Sequence, residues 1–132
     1  MDPVLTRCGY RCDLCLAYRP NVEQNPLNRK ILSDGWFKYY GFRIPPERIL
    51  CDGCMTETPT LIDNSCPVRP CVIEREMENC ATCPDYGCEK LIERFVVYAD
   101  IMKKINTSIP DEDRQKFIEP YENKLRLDKL RE

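Results

Sequence analysis

The sequence predicts a small, metal-stabilised and mainly α-helical protein: a cysteine-rich zinc-knuckle body with short irregular or hairpin segments, then a C-terminal helical hairpin. Its 132 residues contain ten cysteines and no histidine. Three cysteine pairs have a gap of two residues, which lets one tight turn direct two thiolates at a single ion. The cysteines end at Cys88, so we expect a metal-binding body over residues 1–89 and a helical tail over residues 90–132. The tail should pack on the body, forming one compact unit, or on a partner.

Two helices are expected in the body. Asn25 followed by Pro26 is typical of a helix N-cap with proline at the first helical position, and apolar residues then recur at helical spacing. Gly35 offers a point at which this helix could divide in two, and Gly41 should end it. A shorter helix is predicted from Pro70 to Met77. Any sheet should be limited to short hairpin segments near the cysteine pairs.

The tail should contain two helices paired as an antiparallel hairpin. Apolar residues at steps of four and three predict one buried helix from about Cys88 to Asn106. Residues 108–111, Ser-Ile-Pro-Asp, have the pattern of a capping box that opens a second helix. Pro120 should kink that helix or start it afresh, because proline lacks an N–H and clashes with the preceding turn.

The most specific motif is the knuckle Cys51-Asp52-Gly53-Cys54. Glycine between the two cysteines permits a positive φ, which turns the backbone amides toward the sulfurs. Together with Cys12 and Cys15, this knuckle is expected to form a tetrahedral four-sulfur zinc site.

A second zinc site is predicted from the next four cysteines along the chain, Cys66, Cys71, Cys80 and Cys83. The spacer between the first two is wide, but it is workable if Cys71 opens a helix after Pro70. A crossed pairing of the cysteine pairs is the main alternative to two sites in sequence order. The cofactor expectation is therefore about two zinc ions per chain.

Cys8 and Cys88 are left over from this assignment. Either could replace a metal ligand in one of the two sites or remain buried as a free thiol. In the sharper interpretation they are reactive and serve redox chemistry, metal relay or group transfer. An iron–sulfur cluster is the alternative cofactor, because iron and zinc both favour sulfur-rich tetrahedral ligation.

Charge and composition exclude several classes of function. The net charge is −2, and thiolates bound to zinc would make it more negative, so nucleic acid is not an expected partner. Without histidine, no Ser-His or Cys-His nucleophile pair can form, and no catalytic residue is assigned. Five arginines near the cysteines are expected to neutralise thiolate charge through hydrogen bonds. These are Arg7, Arg11, Arg19, Arg69 and Arg75.

The first residues carry no pattern of a secretory signal, and no run of about 20 apolar residues occurs, so we expect a cytoplasmic protein with reduced thiols and no membrane span.

The cysteine pattern resembles a family of small microbial proteins that is catalogued as a domain of unknown function and suspected of binding zinc. The likeness extends from Cys8 to about residue 95. It rests on the order of the cysteines, the Cys51–Cys54 knuckle and the closing run of residues 88–91. Gly87 departs from the proline expected before Cys88. The resemblance implies that Cys8 and Cys88 belong to the family pattern, and it implies no activity.

These observations predict a non-enzymatic zinc-binding protein whose body is a rigid scaffold and whose tail contacts a protein partner or a second copy of the chain. The alternative is a thiol-based redox, metal-transfer or iron–sulfur protein that uses Cys8 and Cys88.

Overall fold

The computed structural model describes residues 3–53, 55 and 66–132, and within these residues the regular structure is helical. The expectation of a mainly α-helical fold is confirmed. Only two isolated β-bridges occur in this part of the chain, one antiparallel between Leu5 and Arg11 and one parallel between Tyr18 and Cys51. The α-helices are α1 (Arg19–Gln24), α2 (Asn28–Tyr40), α3 (Val68–Glu74), α4 (Glu89–Ile92), α5 (Tyr98–Ile105), α6 (Asp111–Phe117) and α7 (Asn123–Leu130). Short 3-10 turns span Cys12–Leu14, Pro46–Arg48, Cys80–Thr82 and Glu119–Tyr121.

Helix α2 begins and ends close to the predicted positions. Asn25 lies before the helix, where its side-chain oxygen accepts a hydrogen bond from the Leu27 N–H at 3.2 Å. Gly41 ends α2 with a left-handed φ of 82°, as the sequence predicts. The possible division at Gly35 does not occur, because α2 runs through this residue without a break.

Gly35 is required for packing rather than for a break. A Cβ atom added there would lie 2.2 to 2.5 Å from three ring carbons of Phe117, on α6. Because glycine has no side chain, the Phe117 ring can rest directly on the backbone of α2. This contact joins the body to the tail.

Replacement of Gly35 by alanine should therefore destabilise the protein by about 2 kcal/mol, even though alanine is the better helix former by about 1 kcal/mol. Urea unfolding measures the change. In a double-mutant cycle with Phe117→Leu, removal of the ring should recover part of the loss caused by Gly35→Ala. Lys30→Ala is the control, because Lys30 is exposed on the same helix and its replacement should change the stability little. Equal effects at Gly35 and Lys30 would contradict this account.

The prediction of a single helix from Cys88 to Asn106 is wrong. Two helices, α4 and α5, occur there, and they are separated by a break that includes residues 95–97, where Val97 has extended angles of φ −120° and ψ 121°. The break is held by Asn123 from α7. Its side-chain oxygen accepts from the Val96 N–H at 2.9 Å, and its amide donates to the Arg94 carbonyl at 2.9 Å. The end at Asn106, in a left-handed conformation with φ 57°, agrees with the prediction.

The second half of the tail agrees with the sequence in one respect and differs in another. Helix α6 begins at Asp111 after Pro110, but no side-chain hydrogen bond caps it, so the predicted capping box does not form. The predicted interruption at Pro120 is confirmed, since a 3-10 turn at Glu119–Tyr121 separates α6 from α7.

The tail helices pack mainly on the body. Helix α6 lies against α2, and α7 lies against the turn at Cys80–Thr82. The predicted antiparallel hairpin is thus replaced by two separate docking contacts. No helix among the described residues is long and apolar enough to cross a membrane.

Two clusters of buried side chains result from this packing. We call the first the larger core and the second the smaller core; the partly buried Tyr10 packs against both. The larger core contains Ala17, Leu32, Trp36, Tyr39, Ile49, Ile101, Ile109, Phe117, Ile118 and Tyr121. The smaller core contains Cys8, Val68, Val72, Cys80, Ala81, Leu91 and Leu127.

Candidate functional site

The first group of cysteines is assembled by backbone pairing. Cys12 and Cys15 flank one 3-10 turn, closed by a hydrogen bond from the Cys15 N–H to the Cys12 carbonyl at 3.0 Å. Cys51 reaches this turn from 36 residues further along the chain. Its N–H donates to the Ala17 carbonyl, and its carbonyl accepts from the Arg19 N–H, both at 2.8 Å. The sequence predicts that the first two pairs of cysteines lie side by side. Of the second pair, Cys51 is held close to the first pair by these hydrogen bonds.

Gly53 brings the predicted knuckle against the first pair. It has a φ of 86°, and its N–H donates to the Cys51 sulfur at 3.4 Å. A Cβ atom added to it would lie 3.2 Å from the Cys12 sulfur. Both roles expected for glycine between the cysteines are thus seen here: a positive φ and an amide directed at sulfur. Cys54, the predicted fourth ligand, lies outside the described residues.

Tyr121 also contacts this group. Its hydroxyl and the Cys15 sulfur share a hydrogen bond of 3.0 Å. Burial raises the pKa of the Cys15 thiol to about 11, and the Tyr121 hydrogen bond opposes that rise. A hydroxyl at this position stabilises negative charge on the sulfur. No sequence pattern indicates this role, because Tyr121 lies more than 100 positions from Cys15 along the chain.

The second group of cysteines surrounds Cys80, which is buried in the smaller core. The Cys80 N–H donates to the Arg7 carbonyl at 2.9 Å, and this bond brings the start of the chain beside the third cysteine pair. Burial, together with the charges of four neighbouring thiols, raises the pKa of the Cys80 thiol to about 12. Those neighbours are Cys8, Cys83, Cys88 and Cys71.

Cys66 also belongs to this region. It packs against the smaller core, of which Cys8 and Cys80 are members. The structure thus brings together the four cysteines predicted for the second site and places the two left-over cysteines, Cys8 and Cys88, beside them. Spacing alone left the positions of Cys8 and Cys88 open.

Of the five arginines expected to neutralise thiolates, Arg75 has the predicted contact. Its guanidinium donates to the Cys83 sulfur at 3.1 Å and to Asp85 at 3.0 Å. Two others pair with carboxylates of the knuckles instead: Arg11 with Asp13 and Arg19 with Asp52, each at 2.6 Å. These two arginines, which were expected to bind sulfur, are thus paired with aspartates next to the cysteines.

The geometry stops short of a formed metal site. Within residues 3–53, 55 and 66–132, no three cysteine, aspartate or glutamate side chains converge closely enough to hold an ion. The nine cysteines of these segments form no disulfide. Their chemistry nevertheless suits zinc, because thiolates are its preferred ligands and a cation favours deprotonation of a buried thiol. The zinc-knuckle assignment stays a prediction.

A cavity of about 720 Å³, which the sequence did not predict, lies between the two groups of cysteines. Its lining includes Cys12, Cys15 and Cys51 of the first group and Cys8 and Cys66 of the second. Most of its remaining wall is aromatic and aliphatic, drawn from the larger core and from the break between α4 and α5. It went unpredicted because its walls come from segments far apart in the sequence.

Fold and site together define a small helical protein with two groups of cysteines that both contribute to the lining of a largely apolar cavity. The chain belongs to the family described as protein of unknown function (DUF3795), whose model matches residues 4–93 and so includes all ten cysteines. No curated protein and no solved structure matches the chain.

Proposed function

We propose that this protein binds about two zinc ions and uses them to stabilise a non-enzymatic scaffold that contacts other proteins. The main support is the approach of the Cys51–Cys54 knuckle to the first cysteine pair, seen in the 3.2 Å separation between the Cys12 sulfur and a Cβ built on Gly53. Backbone hydrogen bonds there join two cysteine-bearing segments that lie some 36 residues apart in the sequence.

The proposed first site uses Cys12, Cys15 and Cys51 with Cys54. The proposed second site takes four ligands from a group of six thiols, which consists of Cys80 and its five neighbours. The expected ligands are Cys66, Cys71, Cys80 and Cys83. Six thiols exceed the four that one tetrahedral zinc ion accepts, so two of them remain as surplus. On the expected ligand set, the surplus thiols are Cys8 and Cys88.

The scaffold role follows from the exclusion of common catalytic groups and from the exposed surface of the tail. The chain has no histidine, the side chain that most often serves as a general acid or base. Helix α7 leaves Leu125 and Leu130 more than half exposed, at 53% and 55%. A protein partner or a second copy of the chain would cover such apolar side chains.

One observation favours the alternative, a thiol-based redox, metal-transfer or iron–sulfur protein. Cys8 and Cys88 both lie beside Cys80, close enough for their charges to raise its pKa. A group of six thiols could hold an iron–sulfur cluster or exchange partners during metal transfer.

Metal analysis of protein made in defined medium tests the proposal. We expect about two zinc ions per chain, negligible iron and no absorption in the visible range. Cys51→Ser and Cys71→Ser should each lower the zinc content to about one, because each removes a ligand from a different site. Cys8→Ser is the matched control and should retain both ions.

Stoichiometric iron with a brown colour would replace the proposal with its iron–sulfur alternative. A well-folded, metal-free protein would contradict both.

A further inference from the structure

The cavity between the two groups of cysteines has the features of a ligand-binding site. Its volume, about 720 Å³, lies in the range of pockets that hold small organic molecules. Aromatic rings form much of its wall: Tyr10, Trp36, Tyr39, Tyr40, Phe42 and Tyr121. Several of these rings meet in edge or tilted contacts, including Tyr10 with Tyr121 at 5.3 Å and Trp36 with Phe42 at 5.4 Å. Such walls favour a flat, polarisable occupant.

The charges around the cavity are unevenly placed. Arg69 and Arg94 are half-buried, whereas the two carboxylates that line the cavity, those of Glu93 and Asp100, are exposed. The Arg94 carbonyl accepts a hydrogen bond from the Tyr10 hydroxyl at 3.0 Å, so this residue is fixed against the aromatic wall. The half-buried charged side chains of the lining, Arg11, Arg69 and Arg94, are thus all positive, although the whole chain has a net charge of −2.

We propose that this cavity binds an organic anion with a flat aromatic body. The aromatic rings contact the body of the ligand, and the guanidinium groups of Arg69 and Arg94 bind its phosphate or carboxylate. A guanidinium presents two parallel N–H donors that match either acid group. Burial among aromatic side chains strengthens that interaction, since less water competes for the charge.

The inference does not rest on zinc. The walls named above are side chains of the larger core and its borders, and they are in place in the described structure. A failure to bind aromatic anions would leave the zinc proposal intact, and a failure to find zinc would leave the cavity to be tested in the same way.

Trp36 makes a site-specific reporter, because it lines the cavity and is the only tryptophan in the chain. Flavin mononucleotide and riboflavin form a matched pair of probes that share one aromatic ring system and differ by the phosphate. Titration of the full-length protein as purified would follow Trp36 fluorescence, with calorimetry as an independent measure. We expect saturable binding of flavin mononucleotide at one per chain and at least tenfold weaker binding of riboflavin, a ratio typical of a charge-assisted contact.

The arginines are tested by Arg69→Gln and Arg94→Gln. Each should weaken binding of flavin mononucleotide about tenfold while leaving that of riboflavin nearly unchanged. Arg48→Gln is the control, since it removes the same charge from an exposed position outside the cavity lining. Circular dichroism and thermal unfolding establish that each variant is folded, and the comparison of the two probes on the unaltered protein needs no variant.

Absence of saturable binding by either probe would overturn the proposal. So would equal affinity for the two flavins, or an effect of Arg48→Gln as large as those of the cavity arginines.

Discussion

Removal of the two proposed zinc ions with a strong chelator is expected to unfold this protein. Structural zinc contributes on the order of 10 kcal/mol of apparent folding free energy, comparable with the whole stability of a typical domain. The two proposed sites lie at different cores: Tyr121 of the larger core bonds to Cys15, while Cys80 is itself part of the smaller core. Loss of either ion should therefore loosen tail as well as body.

Circular dichroism at 222 nm and near-ultraviolet spectra, recorded under reducing conditions as chelator is added, would measure this loss. The control is chelator already saturated with zinc, which should have no effect. Re-addition of zinc should restore both signals. Retention of the native spectra after metal analysis shows less than a tenth of the zinc remaining would rule out a structural role for the ions.

Replacement of Asn123 by alanine should produce a large loss of stability. The Asn123 side chain is fully buried and makes three hydrogen bonds to backbone groups of distant segments. Its amide donates to the carbonyls of Cys8 and Arg94, and its oxygen accepts from the Val96 N–H. Alanine would leave these three groups without their bonds, and we expect a loss of about 3 kcal/mol.

Urea unfolding of Asn123→Ala and Asn123→Asp separates shape from hydrogen bonding. Aspartate keeps an acceptor for the Val96 N–H but places negative oxygen against the two carbonyls, so it should destabilise at least as much as alanine. Leu125→Ala on the same helix is the control, because that side chain is 53% exposed and its loss should matter little. Similar effects at positions 123 and 125 would show that the hydrogen bonds of Asn123 are not what holds the break.

The parts of the fold that were predictable from sequence depend on local chemistry. Gly41 ends α2 because glycine alone adopts the left-handed angles without strain, and Pro120 interrupts the tail because it lacks an N–H. The break between α4 and α5 was missed because the apolar pattern continues across it. Its cause is Asn123, some 27 residues later, which offers the Val96 N–H a partner outside the helix.

The same distinction applies to the candidate site. Spacing identified the cysteine pairs and the need for glycine at position 53, both of which are local properties. It could not place Cys8, which the hydrogen bond from the Cys80 N–H to the Arg7 carbonyl brings close to Cys80, and it could not place Cys88. Nor could it indicate the hydrogen bond between Tyr121 and Cys15 or the cavity between the two groups, since these arise from packing of remote segments.

Because the tail packs on the body, the boundary of the family match and the boundary of the folded unit do not coincide. The family match ends at residue 93, yet five of the ten side chains in the larger core come from positions beyond it. Those five are Ile101, Ile109, Phe117, Ile118 and Tyr121. A fragment cut at the edge of the family match would expose the apolar face around Trp36 and lose one wall of the cavity. The unit recognised by its sequence is thus smaller than the unit that folds.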